Sequence, residues 1–341
     1  MTVIRDVVPV LDHLHRLTGE RGLYEHARYD QPREEHGYTT DDNSRALVVL
    51  CRFAETFETY PSLSPYLDFV VSGVVPGGWH NRMNRTGLWV DQRGSDDAHG
   101  RAIWGLGEVV RSGRTDEIVA DALRAGLVSF RSRHPRALAY AVLGAVALWD
   151  AGEPADLQEL AGDFLAEARK SLPKPRGGVW RWPAARLTYA NARIPEAMIE
   201  AGVALGDAAF TTSGLELLGW LIELETAESR FSFTPVAGRG SGDPQPAYDQ
   251  QPIEAWAMTD ACFAAHRVDG DVRWRRGVVR AARWFLGLND AGKPLYDVRT
   301  GAGHDGLGDG YVNQNRGAES TLAALGSLIR LRQLTDIPPR P

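Results

Sequence analysis

Lysine and cysteine are scarce in this chain of 341 residues. Lysine occurs only at Lys170, Lys174 and Lys293, so arginine carries nearly all of the positive charge, and the formal net charge is −6. Because the sequence has neither a basic stripe nor a tail rich in lysine and arginine, we expect no nucleic-acid partner. The two cysteines, Cys51 and Cys262, lie in apolar helical stretches. They are predicted to be buried thiols rather than a disulfide or a nucleophile.

Long apolar runs and a targeting signal are also missing. No run reaches the length of a membrane span. The first residues, MTVIRDVVPVLDHLHRL, mix charged and apolar residues in an amphipathic pattern. They lack the basic start, the apolar centre and the small-residue cleavage site of a signal peptide. We therefore expect a cytoplasmic protein with no membrane partner.

Apolar residues recur at helical spacing along most of the chain, and strand-like stretches such as RFSFTPV are confined to connections. Two kinds of predicted helix alternate. The first kind is apolar nearly all round, which predicts burial, and it comprises residues 41–57, 97–110, 135–150, 194–206, 252–266 and 318–334. The second kind is amphipathic and more charged, and it comprises residues 3–17, 63–74, 115–130, 156–172, 212–226 and 272–288.

Strict alternation of buried and covering helices predicts six helical hairpins. The repeat is uneven, about 40–65 residues, which argues against a regular helical solenoid. Together with the stretches GYTTDDNSRAL, SDDAHGRA and GAEST, this organisation resembles the (α/α)6 toroids of carbohydrate-active proteins. The resemblance covers the whole chain, residues 1–341, as one all-α domain. It implies an active site over one end of the inner ring, as in glycoside hydrolases, some phosphorylases, polysaccharide lyases and sugar epimerases of this fold.

The buried helices open on acidic residues. Any single acid there could serve only as a helix cap, since acids suit that end of a helix. A cap needs one acceptor, however, and Thr40 or Ser95 could supply it. The additional acids are Asp41, Asp42, Asp96, Asp97, Glu196, Glu254 and Glu319. Crowded around one ring end they would repel, and some of their pKa values would rise. We predict that Asp42, Asp97, Glu254 and Glu319 are the catalytic candidates among them.

Basic, amide and aromatic side chains accompany these acids. Arg45, Arg101, Arg193 and Arg316 follow closely and could orient or neutralise part of the cluster. Sugars bind to aromatic faces and to planar polar groups. The predicted substrate-binding residues are Tyr38, Asp41, Asn43, Arg45, Trp79, Asp96, His99, Arg101, Trp180, Trp182, Tyr189, Asn191, Tyr248, Gln250, Gln251, Asn315 and Arg316. Some of the tryptophans could instead pin loops onto the barrel.

Other chemistries find little support. A Rossmann fingerprint, a P-loop, HExxH and GxSxG are absent. The loop GHDGLGDG, residues 303–310, resembles a calcium loop only faintly, because the spaced acids and the terminal Glu are missing. Isoprenoid cyclases also use aspartate-rich openings, but here Arg45 and Arg101 stand where a diphosphate-bound metal would need a further acid. We expect no cofactor and no metal site.

These observations predict an inverting glycoside hydrolase whose partner is an oligosaccharide or glycan. Glu254 is predicted as general acid and Asp97 or Asp42 as base, with Glu319 in reserve. The second and fifth buried helices face each other across a ring of six, so Asp97 and Glu254 would be opposed. A carboxyl separation of about 6.5–9.5 Å would indicate inversion, and about 5–5.5 Å retention. Phosphorolysis on the same site and a non-catalytic glycan-binding toroid remain as alternatives.

Overall fold

The computed structural model describes residues 8–336. Within them, six helices have nearly all of their side chains buried, and we call these the inner helices. They are α2 (Thr40–Phe57), α4 (Asp96–Arg111), α6 (Pro135–Ala151), α8 (Arg193–Ala204), α10 (Pro252–Asp269) and α12 (Ala318–Asp336). The six outer helices are α1 (Asp12–Leu17), α3 (Ser64–Ser72), α5 (Glu117–Ser129), α7 (Ala155–Ser171), α9 (Ala208–Glu225) and α11 (Val272–Trp284).

The inner helices form a closed ring, since each contacts the next along the chain and α12 returns to contact α2. The outer helices pack on this ring, for example α3 on α2 and α9 on α8. The (α/α)6 toroid predicted from the alternation of helix types is therefore confirmed. None of the helices in the described range is both long and apolar enough to cross a membrane.

Small residues allow the inner helices to approach closely. A Cβ atom added to Gly100 would lie 2.3 Å from the carbonyl oxygen of Ala137, and one added to Gly144 would lie 2.4 Å from that of Ile103. Real Cβ atoms do not approach so near. The glycines of α4 and α6 therefore permit a backbone contact that any larger residue would prevent.

Helix boundaries differ from the predicted ones mainly at the ends of outer helices. Predicted residues 3–7 lie outside the described range, and α1 begins only at Asp12. Helix α9 begins four residues earlier than predicted because the side chain of Asp207 accepts a hydrogen bond from the N–H of Phe210. Both cysteines are buried and unpaired, as predicted.

The connections carry two-residue antiparallel strands and, before α2, a short 3-10 helix, Glu34–His36. The pairs are Thr18–Gly19 with Gly22–Leu23, Ala27–Arg28 with Gln31–Pro32, Tyr38–Thr39 with Arg82–Met83, Val74–Val75 with Gly78–Trp79, Arg186–Leu187 with Arg239–Gly240, Thr226–Ala227 with Arg230–Phe231, and Leu307–Gly308 with Tyr311–Val312. Two of these pairs join the connections that precede different inner helices, α2 with α4 and α8 with α10. They fix the loops above the ring relative to one another.

A buried ionic cluster crosses the middle of the ring. We call Arg52, Glu108, Arg193, Asp260 and Arg330 the axis cluster. The carboxylate of Asp260 accepts hydrogen bonds from all three arginines at 2.7–3.1 Å, and Arg52 also reaches Glu108 at 2.8 Å. Burial alone would raise the pKa of Asp260, but the three guanidinium groups outweigh it and hold that pKa far below its ordinary value. The axis cluster thus joins five inner helices, α2, α4, α8, α10 and α12, through ion pairs.

Candidate active site

The first turns of α2, α4, α10 and α12 meet at one end of the ring, which we call the N-terminal mouth. Arg45 in α2 donates to Asp42 at 2.8 Å and to Glu319 of α12 at 2.7 Å. Arg101 in α4 donates to Asp41 of α2 at 2.7 Å. The two arginines and the acids that they bind therefore join three helices, α2, α4 and α12.

The paired aspartates are not the caps of their helices. The Thr39 hydroxyl accepts the N–H of Asp42, and the Ser95 hydroxyl accepts the N–H of Ala98. The expectation that Ser95 caps α4 is confirmed, whereas α2 is capped by Thr39 and not by Thr40. The hydroxyl of Thr40 instead donates to the carbonyl of His80. The acids are therefore surplus to the capping of these helices.

A second chain of contacts links α4 with α10. The Tyr189 hydroxyl donates to Asp97 at 2.6 Å, and Arg101 lies 3.4 Å from the same carboxylate. Two residues further along the chain, the backbone and side-chain N–H groups of Asn191 both donate to Glu254 at 3.1 Å. The segment 189–191 thus joins the two carboxyls predicted as base and acid.

Arg136, in the first turn of α6, supports this segment from below. Its guanidinium stacks on the Tyr189 ring at 4.5 Å and donates to the Tyr189 carbonyl. A further N–H group points toward the side-chain oxygen of Asn191 at 3.5 Å. One arginine therefore holds both residues that contact the candidate carboxyls.

The acids at the mouth differ in their electrostatic environment. Burial raises the pKa of Glu254 to about 8, with the nearby charge of Glu225 adding to the effect. Burial would also raise the pKa of Asp41, but Arg101 and Arg45 reverse the sign and lower it. Glu254 is therefore built to keep its proton at neutral pH, while Asp41 is held charged.

A cavity of about 270 Å³ opens between α2, α10 and α12. Glu25, His26, Asp42, Arg45, Asp305 and Glu319 are among the residues that line it. The side chain of Glu319 is 42% exposed, whereas that of Asp42 is only 4% exposed. Glu319 is therefore the acid of this cavity that solvent and ligand reach most directly.

Three aromatic or imidazole side chains do not lie where the sequence predicted. Trp79 and Trp182 are each 1% exposed, and the Trp79 indole donates to the Val70 carbonyl. Trp182 stacks with Trp220 of α9, an outer helix. His99 is buried between Trp79 and Phe130 and contacts the Gly126 carbonyl. These rings pack loops and α5 onto the barrel, and their predicted contact with a glycan stays a prediction.

Trp180 also faces the outer helix. Its ring meets the edge of Trp220, and its indole donates to the Ala184 carbonyl. Trp180 and Trp182 thus both lie against Trp220, and the groove that they would line with Tyr248 stays a prediction. Tyr248 alone of the three remains half-buried without packing on α9.

Several predicted polar contacts are also used within the protein. Tyr38, Asn43 and Gln250 are at most 2% exposed. Asn43 accepts the N–H of Leu23 and donates to Thr39, and Gln250 donates to Asp290. In this structure the polar groups of Asn43 and Gln250 are engaged within the fold and Tyr38 stacks on Tyr24, so substrate binding by these three residues stays a prediction.

The remaining predicted residues lie around the mouth, and they differ in whether their side chains have partners within the protein. Asp96 pairs with Arg93 at the surface, and Asn315 accepts the N–H of Tyr29. Gln251 precedes α10, and Arg316 precedes α12 with a buried Nε that has no partner among the described residues. Their binding roles stay predictions.

Glu196 and Arg193 do not join the mouth. They pair with each other at 2.7 Å inside the ring, and Arg193 stacks over Trp104 and Trp256. The expectation that both belong to the crowded acids and their neutralising arginines is wrong. Glu196 is the fourth residue of its helix, deeper than Asp97 or Glu254, and therefore faces the axis cluster.

The glycine-rich loop 303–310 uses its best-placed acid for structure. Asp305 accepts the N–H of Gly317 and the hydroxyl of Ser320 at the start of α12. Among the described residues, no group of three or more His, Cys, Asp or Glu side chains is arranged to hold a metal ion.

Four residues of the site were not selected from the sequence: Glu25, His26, Arg136 and Glu225. Arg136 stood in the third helix opening, but that opening has no acid to mark it. Glu25 and His26 lie in the long polar connection YEHARYDQPREEHGY, residues 24–38, before α2. Glu225 ends an outer helix and carries no local signal.

No protein-family model matches the chain, and no curated protein matches its sequence. The fold, by contrast, is similar to that of solved carbohydrate-active proteins. A cellobiose 2-epimerase from Bacillus thermoamylovorans is 12% identical with a TM-score of 0.71, and 96% of each chain is covered. A sugar epimerase from a ruminal bacterium is 11% identical with a TM-score of 0.70, and 97% of each chain is covered.

An α-1,6-mannanase from Salegentibacter sp. HEL1_6 is 10% identical with a TM-score of 0.62, and again 97% of each chain is covered. That structure is an inactive variant, with asparagine at two adjacent aspartate positions, in complex with α-1,6-mannotriose. At such low identity the likeness concerns the fold alone. The chain shares the (α/α)6 toroid of carbohydrate-active proteins.

Proposed function

We propose that this chain is an enzyme that acts on an oligosaccharide at the N-terminal mouth, and that it hydrolyses a glycosidic bond with inversion. The observation that carries the proposal is the link from Arg101 and Asp97 through Tyr189 and Asn191 to Glu254. At one end of this link, Asp97 accepts a hydrogen bond from the Tyr189 hydroxyl and lies beside the Arg101 guanidinium. At the other end, Glu254 is the carboxyl that keeps its proton. Two carboxyls in opposite states are what acid–base chemistry on a glycosidic bond requires.

In this mechanism Glu254 donates its proton to the glycosidic oxygen as the bond from that oxygen to the anomeric carbon breaks. Asp97 accepts a proton from a water molecule whose oxygen attacks the anomeric carbon from the opposite face. Asp41 and Arg101, fixed to each other, would accept and donate hydrogen bonds to sugar hydroxyls. Because Glu254 is 1% exposed, the mechanism requires the segment 189–191 to shift when the substrate binds.

The solved relatives support the substrate class. The mannanase binds a mannotriose, and its inactive variant lacks two adjacent aspartates. This chain has two such pairs, Asp41–Asp42 and Asp96–Asp97, one at the start of each of two neighbouring inner helices. We propose that one pair serves chemistry and that the other holds the sugar. We also propose that residues 1–341 act as one domain.

The test replaces Asp42, Asp97, Glu254 and Glu319 singly by the matching amide. Glu167→Gln, on the exposed face of α7, is the control. Mannan- and cello-oligosaccharides are offered, and NMR follows the anomeric configuration of the first product. Loss of the acid or base should lower the rate about 10²–10⁴-fold, while Glu167→Gln should turn over like wild type. Thermal melts show how far each amide also destabilises the fold, which we expect most for the buried Asp42, the ion-pair partner of Arg45. If all four amides turn over like wild type, the acids serve the fold only.

A second candidate is epimerisation or isomerisation of a reducing sugar. The cavity that brings Glu25, His26 and Glu319 together favours it, because proton transfer at carbon needs such a base. Two of the solved relatives are epimerases. Incubation of cellobiose and mannose in D₂O separates the two reactions. Deuterium at a sugar carbon without new reducing ends would favour epimerisation, and new reducing ends without deuterium would favour hydrolysis.

A further inference from the structure

The outer helix α11 concentrates positive charge. Its 13 residues include no acid and five arginines, Arg273, Arg275, Arg276, Arg280 and Arg283. We call these five the basic face of α11. Four of them are exposed, and Arg280 is half-buried. The whole chain has more acids than bases, 44 Asp and Glu against 38 Lys and Arg. The expectation that the sequence holds no basic stripe is therefore wrong for this helix.

More than half of the basic face has no counter-charge. Two members have a polar partner, since Arg273 lies 3.3 Å from Asp271 and Arg280 donates to the Thr226 hydroxyl at 2.9 Å. Three side chains make neither an ion pair nor a hydrogen bond within residues 8–336, and these are Arg275, Arg276 and Arg283. Three guanidinium groups therefore face solvent unpaired.

The other outer helices pair their cations. Helices α3 and α9 contain no Arg or Lys, and each Arg or Lys of α1, α5 and α7 has an acidic partner. The pairs are Arg16 with Asp30, Arg124 with Glu117, Asp121 and Asp156, Arg169 with Asp207, and Lys170 with Glu167. The unpaired charge of α11 is thus not the rule for the outer helices of this protein.

The fold gains no stability from this arrangement. Arg273 and Arg275 stand in the first turn of α11, where the positive end of the helix dipole disfavours cations. Arg276 follows Arg273 by three residues and precedes Arg280 by four, and like charges at these spacings repel each other. Charge that the fold does not use is available to a ligand of opposite sign.

The basic face runs toward the N-terminal mouth. Helix α10 begins at the mouth with Glu254, and α11 follows it after a short turn and packs back along it. Arg283 therefore lies at the end of α11 nearer the mouth, and Arg273 at the far end. The ten positions between them span about 15 Å. The connection that follows α11 supplies Asp305 to the cavity at the mouth.

The surroundings of the basic face narrow the class of anionic partner. The apolar side chains Trp274, Val278 and Trp284 of α11 are fully buried against the barrel. They are not free to enter a membrane, and they offer no ring on which the bases of single-stranded nucleic acid could stack. A row of charges without an aromatic or apolar centre suits an extended polyanion better than a folded protein.

We propose that the basic face of α11 binds an acidic polysaccharide, whose carboxylate or sulfate groups pair with Arg275, Arg276 and Arg283. The choice of a glycan among extended polyanions rests on the proposed function. Because the mouth is itself lined by carboxylates, the charged sugars would lie along α11 while an uncharged sugar occupies the mouth. The basic face would then hold a polymer beside the site that cuts it.

The experiment measures binding of an oligogalacturonate, a chain of carboxylated sugars, by calorimetric titration at low ionic strength. The methyl-esterified form of the same oligosaccharide is the uncharged control ligand. We expect wild type to bind only the charged form, with an affinity that falls as salt is added. In the triple variant Arg275→Gln, Arg276→Gln, Arg283→Gln the affinity should fall about tenfold or more, because three exposed charge pairs of modest strength are lost together.

A second triple variant is the matched protein control. Arg16→Gln, Arg124→Gln and Arg169→Gln remove three surface arginines that already have acidic partners. The two triple variants have the same net charge, so a difference between them reports the position of the charge. The control variant should bind the oligogalacturonate like wild type.

Equal weakening in both triple variants would overturn the proposal, because overall charge would then explain the binding. Failure of wild type to bind, or tighter binding of duplex DNA of equal charge, would overturn it as well. If the first triple variant does not fold, Arg276→Gln and Arg283→Gln must each weaken binding singly.

The titration needs no turnover, so the two proposals fail separately. Binding through the basic face by a protein that cuts no glycan would refute only the proposed function. Hydrolysis of neutral oligosaccharides by a protein whose two triple variants bind oligogalacturonate alike would refute only the role of the basic face.

Discussion

Removing the carboxylate of Asp260 should lower the stability of the ring more than a substitution at the surface does. Asp260 is fully buried and is the common acceptor for Arg52, Arg193 and Arg330. In Asp260→Asn the amide oxygen can still accept hydrogen bonds, but its NH₂ group faces guanidinium groups that only donate. Three buried cations then lose their shared counter-charge.

The magnitude follows from that geometry. Breaking one buried ion pair by removing a partner costs about 3–5 kcal/mol. In a chain of this length the entropy of unfolding is about 0.7 kcal/mol/K, so one kcal/mol corresponds to about 1.4 °C and the thermal midpoint should fall by about 4–7 °C. Glu167→Gln removes a carboxylate from an exposed pair with Lys170 and should leave the midpoint unchanged.

Calorimetry or a circular-dichroism melt at neutral pH measures the difference. The pKa of Asp260 is lowered in the folded protein, so its contribution to stability is present above pH 3.8, its unfolded value, and is lost as the pH falls further. The two proteins should therefore differ most at neutral pH. A fall in Asp260→Asn no larger than in Glu167→Gln would refute the view that the axis cluster is held by this acid.

Three further outcomes follow from the site. Tyr189→Phe removes the hydroxyl that donates to Asp97 and should lower turnover about tenfold or more with little change in the melt, whereas Tyr60→Phe, in the exposed loop that follows α2, should not. Trp182→Ala should destabilise the fold by about 3–5 kcal/mol, as measured by thermal melting. Glycan affinity in the folded fraction, measured by calorimetric titration, should not change. Loss of affinity without loss of stability would show that Trp182 contacts the glycan. The free energy of unfolding should fall as the pH rises from about 4.5 to about 8, because folded Glu254 and Glu225 bind protons that unfolded glutamates release. Urea titrations at several pH values measure this free energy, and in Glu225→Gln it should change less with pH over the same range.

The ring of helices was predictable because burial leaves a strong trace in sequence. Helices such as α6 are apolar on every side. Such a helix is buried all round when it packs between neighbouring inner helices and is covered by an outer helix. The position of the acids at one end followed from the same alternation, since successive inner helices begin at the same end of a toroid.

Side-chain direction was not predictable. Trp182 and Tyr189 stand in the same connection, yet one packs on α9 and the other contacts Asp97. The sequence does not show which side of a loop meets the barrel. Glu225 was missed for a related reason. Its charge adds to the raised pKa of Glu254, but Glu254 belongs to a different helix and no local sequence pattern connects the two residues.

The contact between α12 and α2 also bears on the order in which the molecule folds. Arg45 and Glu319 are separated by 274 positions, so their pairing closes a very long loop and gains nothing until the helices between them have docked. We expect Arg45 to hold only Asp42 while the ring is open and to acquire Glu319 in the last docking step. An incompletely folded chain would thus carry the acids of the mouth without the enclosure that makes them a site.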